Sequence, residues 1–196
     1  MFIETTPPSE AGGALAEWYS SQEKSWGFLP DYAACFAARP DVAKAWTTLN
    51  LTIRGGMERR RFELATIAAA RTLRSTYCTV AHASFLRDVC DDGATVEELA
   101  RHPDGSSLSD QDRAVYGFAT KVARDASAVE QADIDTLRTA GLSDTDISDI
   151  VYAVAARAFF TKVLDGLGAR LDRATADTFD PEVLNAMVVG RPVLTD

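Results

Sequence analysis

The sequence has no run of roughly eighteen uncharged apolar residues, the length a bilayer-spanning helix needs, so no membrane is expected as a partner. The period-two alternation of β-branched residues that marks strands is missing as well. The segment Met1 to Glu10 carries Glu4, Pro7 and Pro8 where a secretory signal has a basic start and an apolar run, so the cytoplasm is the expected location. Basic charge is in short supply. Twenty Lys and Arg against 29 Asp and Glu leave a net charge of -9, a field that repels polyanions, and nucleic acid is not an expected partner. The one basic run, Arg59, Arg60 and Arg61, is flanked by Glu58 and Glu63 and reads as a solvated helix start. Only three cysteines occur, Cys35, Cys78 and Cys90; an odd number without a signal argues for reduced thiols over a disulfide framework. With two histidines in the chain, Cys78 and His82 make half a zinc site at best, so neither a metal nor another cofactor is expected. His102 lies in a loop with Pro103 and Gly105 and is given no role.

What is present is ordinary globular material: 46% apolar and 25% charged residues over 196 positions, enough for one buried core. The apolar periodicity is helical almost everywhere, so an all-α single domain over 1–196 is expected, with 1–27 as an N-terminal lead and 27–168 as the core. Helices are expected around Ala11 to Lys24, from Asp31 as cap through Ala38, and from Pro40 until Gly55-Gly56 breaks the pattern. The next starts near Met57 and carries Phe62, Ala65, Thr66, Ala69 and Leu73. Ser75 reads as the N-cap of a helix from Thr76 to about Val89, and Thr95 to Glu98 has capping-box form. After a polar loop from Arg101 to Leu108, helix starts fall at Ser109 with Asp112, before Asp133, at Ser143 with Asp146, and at Asp180-Pro181. The stripe Ile147, Ile150, Val151, Val154 and Phe159 to Leu167 is broad enough for a central core helix. Arg157 interrupts that stripe and needs a carboxylate partner if buried. Trp26, Trp46, Phe159 and Phe160 are candidates for the core, an interface or an apolar pocket wall.

The chemistry concentrates in Glu63 and the stretch Ser75-Thr76-Tyr77-Cys78-Thr79-Val80-Ala81-His82. With Ser75 as cap, Cys78 is the third helical residue, near unpaired N–H groups and the positive end of the helix dipole, a setting that favours the reactive thiolate. His82 follows about 6 Å along the same face, in position to hydrogen-bond toward the sulfur or move its proton. Glu63, on the preceding helix, can orient the imidazole if the two helices form an antiparallel hairpin. Cys35 and Cys90 read as core residues; Cys90, roughly 18 Å along the helix, is out of reach of Cys78.

This stretch resembles the signature of the alkylhydroperoxidase D / carboxymuconolactone decarboxylase family, a Glu followed at fixed spacing by Cys-x-x-Cys and a His. Cys78 stands at the second, peroxide-reacting cysteine, His82 at the histidine and Glu63 at the glutamate. The wording Tyr77-Cys78-x-x-Ala81-His82 is similar to the peroxidase-related branch, and looser similarity runs from Gly27 to Gly168. The resemblance implies a fold of helix-hairpin repeats, a homo-oligomer, and reduction of hydrogen peroxide or a small organic hydroperoxide. Two positions depart from the pattern: Ser75 replaces the first cysteine, and Tyr77 replaces the histidine that precedes the second. Without a cysteine at 75 no disulfide forms with Cys78, so a one-cysteine cycle restored by an external thiol or dithiol is expected. A lyase acting on a small lactone acid, and a non-catalytic scaffold with a degenerate site, are the alternatives.

Overall fold

Helix α3 (Arg59–Thr72) sits at the centre because its sequence lets other helices come close. Phe62 to Ala70 are buried without interruption, and four of these residues are alanines, so neighbours pack against it from several sides. Those neighbours are α4 (Thr76–Asp88), α6 (Asp110–Asp125) and α8 (Asp144–Leu167). Around them lie α1 (Gly13–Trp26), α2 (Pro40–Gly56), α5 (Gly93–Arg101), α7 (Gln131–Thr139), α9 (Arg173–Ala176) and α10 (Pro181–Met187). The computed structural model describes residues 1–194, and among them there is no strand. No helix among them is long and apolar enough to cross a membrane.

The centre is thus α3, where the apolar stripe of α8 had pointed to α8. Helix α8 buries Ile147, Ile150, Val154, Phe160 and Leu164 on one side, while Tyr152 and Phe159 are exposed. Its large side chains cover a face; the small ones of α3 permit approach all round.

Several helix starts follow their caps. The Ser109 hydroxyl accepts the Asp112 N–H at 3.2 Å, and the Ser143 hydroxyl accepts the Asp146 N–H at 3.2 Å. Asp180 accepts the Glu182 N–H at 2.9 Å ahead of Pro181. Helix α2 ends at Gly56, where the Gly55-Gly56 pair was expected to stop it. Elsewhere the local signal misleads. Helix α5 is capped by Asp92, which takes the Thr95 N–H at 3.1 Å, so it starts before Thr95. Asp31 opens a short 3-10 helix (Asp31–Phe36) but does not cap it. Its carboxylate accepts the Arg170 N–H at 2.8 Å, and its own N–H donates to Asp172 at 2.9 Å. These bonds tie the entry segment to the chain that leaves α8.

The run Arg59 to Arg61 is no solvated helix start. Arg59 pairs with Glu63 at 2.5 Å, Arg60 with Asp92 and Asp112 at 2.6 and 2.7 Å, and Arg61 with Asp146. One turn of α3 thereby anchors α5, α6 and α8.

Candidate functional site

Helices α3 and α4 are joined by a turn in which Arg74 adopts a left-handed φ of 59° and the Ser75 N–H bonds back to the Ala70 carbonyl at 2.9 Å. This reversal brings the start of α3 alongside the middle of α4. Glu63, with no exposed surface, meets His82 there: Oε2 accepts from Nδ1 at 2.5 Å, while Oε1 accepts from Arg59 Nε at 2.5 Å. The hairpin contact expected from the sequence is present.

The bond from Nδ1 leaves Nε2 of a neutral imidazole as an acceptor. Burial is the main reason His82 is pushed down to about 4, with the Arg157 charge adding to the effect and Glu63 opposing it. Burial pushes Glu63 up, but His82 and Arg59 together hold its carboxyl below the ordinary value. The stable pairing is therefore ionised Glu63 with cationic Arg59 and neutral His82.

This has a consequence for acid stability. Folded His82 refuses a proton that the unfolded imidazole takes up at its ordinary 6.5. The unfolded chain then binds more protons, so stability falls as the pH drops from 6.5 toward 4; Glu63 adds to the loss below its ordinary 4.5. Urea midpoints should decline across that window and be flat just above it. A midpoint constant from pH 6.5 to 4 would contradict the neutral buried His82.

Cys78 lies on α4 and is 1% exposed. Its setting corrects the expectation of a thiolate made by the helix cap alone. Burial pushes the thiol up, and the strongest influence against this is Arg157 on α8, whose Nη1 donates to Sγ at 3.7 Å. Arg157 is itself buried, and its partner is this thiol rather than the carboxylate its sequence setting called for. It is the site residue that sequence reading did not place; an arginine inside an apolar stripe was the available signal. No hydrogen bond joins Cys78 to His82 among the described residues; Cys78 Sγ is met by Arg157 and His82 Nδ1 by Glu63.

The auxiliary residues position α4. The Tyr77 hydroxyl donates to Asp172, and its ring meets Tyr32 edge-on at 5.5 Å. Ser75 occupies the cap position without capping: its buried hydroxyl has no hydrogen-bond partner. Cys35 is buried in the core and pushed up to about 12, mainly by burial. Cys90 is half-buried beyond the end of α4.

Glu63, Cys78, His82 and Arg157 line one cleft of about 390 Å³, whose walls include Trp26, Tyr32, Trp46, Phe85 and Phe160. Phe159 stays outside, exposed, tilted against Trp46. A larger hollow of about 530 Å³ between α6 and α7, lined by Asp110, Lys121 and Asp133, contains none of the four. Among the described residues no three His, Cys, Asp or Glu side chains gather as metal ligands. The arrangement can present a sulfur nucleophile, a cation beside it and a proton acceptor to an apolar guest.

Residues 40–105 match the carboxymuconolactone decarboxylase family. That segment holds both site helices, α3 and α4. A stretch of 86 residues, 43% of the chain, is 36% identical to an alkyl hydroperoxide reductase of Mycobacterium tuberculosis, and the match spans 25% of that protein's length. The all-helical fold of the described residues is AhpD-like. An uncharacterized peroxidase-related protein from Ralstonia eutropha with an alkylhydroperoxidase D core superposes with a TM-score of 0.77 at 21% identity, over 97% of both chains. A debrominase variant in complex with 2,3,4-tribromopyrrole superposes with a TM-score of 0.76 at 16% identity, over 95% of this chain and 97% of that one.

Proposed function

We propose that this protein is a thiol-dependent peroxidase reducing hydrogen peroxide or small organic hydroperoxides through Cys78. The observation that carries the reading is the shared cleft: the only cysteine lining it stands with the His82–Glu63 pair and a buried cation. The Cys78 sulfur attacks the distal peroxide oxygen, an S–O bond forms and the O–O bond breaks. The thiol proton passes through Nε2 of His82 to the leaving alkoxide, so thiol and hydroperoxide become sulfenic acid and alcohol. Glu63 holds the ring's tautomer and offsets the charge that develops on it. An external thiol then condenses with the sulfenic acid, releasing water, and a second thiol frees Cys78 as the external disulfide leaves. Ser75, in place of a resolving cysteine, supports this one-cysteine cycle. A homo-oligomer belongs to the same reading, and the exposed Leu49 and Leu51 on α2 and Tyr152 and Phe159 on α8 support it.

The test is stoichiometry. Reduced protein alone should consume about one equivalent of an organic hydroperoxide, and many once a small thiol is added, with a mixed disulfide at Cys78 in mass spectra. Consumption of no hydroperoxide with thiol present would overturn the proposal. The aromatic cleft walls also favour a second reading, thiol chemistry on a halogenated aromatic, which debromination of a bromopyrrole by the reduced protein would support.

A further inference from the structure

Among the described residues, the charge of Arg157 has no carboxylate to answer it. The side chain is 4% exposed, with its guanidinium 5.7 and 5.3 Å from the centroids of the Trp46 and Phe160 rings, which stack on each other. Its Nε has no hydrogen-bond partner, and among the described residues it forms no ion pair. The nearby acids are engaged elsewhere: Glu63 by Arg59 and His82, and Asp165 by Arg191, whose Nε lies 3.8 Å away and whose Nη2 donates to the Asp165 carbonyl at 2.7 Å. A guanidinium does not shed its proton inside a protein, and a buried cation without an anion is costly. The group it does touch that can become an anion is the Cys78 thiol.

We propose that Arg157 is a positioning residue: its guanidinium is the counter-cation of the Cys78 thiolate, taking the place that a protonated histidine would fill in a Cys–His ion pair. This rests on the peroxidase reading for its use but not for its chemistry. One charge acts on two groups: at Cys78 it opposes the burial that holds the thiol above its ordinary value, and at His82 it favours the neutral ring that can accept the thiol proton. The other groups bearing on Cys78 do not substitute for it. Asp165 on the same helix opposes the thiolate, the Ser75 hydroxyl is uncharged, and Tyr32, from the 3-10 helix Asp31–Phe36, is kept a neutral phenol mainly by burial. Glu63 and Arg59 on α3 are paired with each other.

The experiment is a thiolate titration by ultraviolet absorbance, taken as the difference between the full chain and its Cys78→Ser variant, repeated in Arg157→Met and Arg157→Lys backgrounds. Histidine NMR signals are followed in the same samples, with His102→Gln for assignment. In Arg157→Met the Cys78 midpoint should rise, with the thiolate fraction below it falling about tenfold, and the His82 midpoint should rise too. Arg157→Lys should restore much of both. A folded Arg157→Met protein with neither midpoint moved would overturn the assignment; Arg157→Gln serves the same comparison should the Met variant not fold. No peroxide enters this titration. Shifted midpoints in a protein that reduces no hydroperoxide would uphold the ion pair while removing the peroxidase reading.

Discussion

Cys78→Ser should lower thiol-dependent hydroperoxide consumption at least about a thousandfold, because the hydroxyl that replaces the thiol is a far weaker nucleophile at neutral pH. The substitution nearly conserves volume at a position 1% exposed, so the fold should survive it. Cys35→Ala and Cys90→Ala should leave consumption within about twofold of the parent chain, since neither residue lines the cleft. Cys35 sits 4.0 Å from Met1 Sδ with its thiol pushed up to about 12, so it stays protonated at working pH. Peroxide assays on the three variants, with circular dichroism to confirm folding, decide the matter. Equal losses at all three positions would mean that general thiol oxidation, not a site, consumes the peroxide.

Glu63→Ala should be the most destabilising single change among the site residues, by about 3 kcal/mol. Glu63 has no exposed surface and holds two partners at 2.5 Å, Arg59 and His82. Its loss leaves the His82 Nδ1–H buried without an acceptor and removes the counter-charge of Arg59, which is one-third exposed and recovers part of its hydration. For a chain of this size the melting midpoint should drop by roughly 9 °C. Glu63→Gln keeps one acceptor and should lose about half as much. By contrast, Glu97→Ala removes a pair with Arg101 in which both side chains are more than half exposed, and should cost under about 0.5 kcal/mol. Thermal melts of the three variants give the ordering. A Glu63→Ala midpoint equal to that of Glu97→Ala would show that the buried pair contributes nothing.

Local signals were readable where one segment settles the outcome. The hydroxyl caps at Ser109 and Ser143 and the Asp180-Pro181 start depend on residues a few positions apart, and the structure has them as expected. The meeting of Glu63 and His82 was legible for a related reason: a short turn between two helices leaves few ways to pair them. Arg157 was not legible as a site residue, because helical periodicity says which face turns inward and nothing about what waits there; its partner Cys78 is 79 positions away. The same limit hid Arg60 and Arg61, whose carboxylate partners come from α6, α8 and the residue before α5. A charge run read alone looks solvated. The cap argument for a Cys78 thiolate weighed the helix dipole without the burial that outweighs it, a quantity known only once α8 is in place.

The most direct test of the central claim is chemical trapping. Reduced protein is treated with one equivalent of an organic hydroperoxide in the presence of a sulfenic-acid trap, and the adduct is located by peptide mass spectrometry beside a Cys78→Ser control. Fast labelling confined to Cys78 is the predicted result. No labelling, or slow and equal labelling of Cys35, Cys78 and Cys90, would contradict the account and leave the retained motif a structural one.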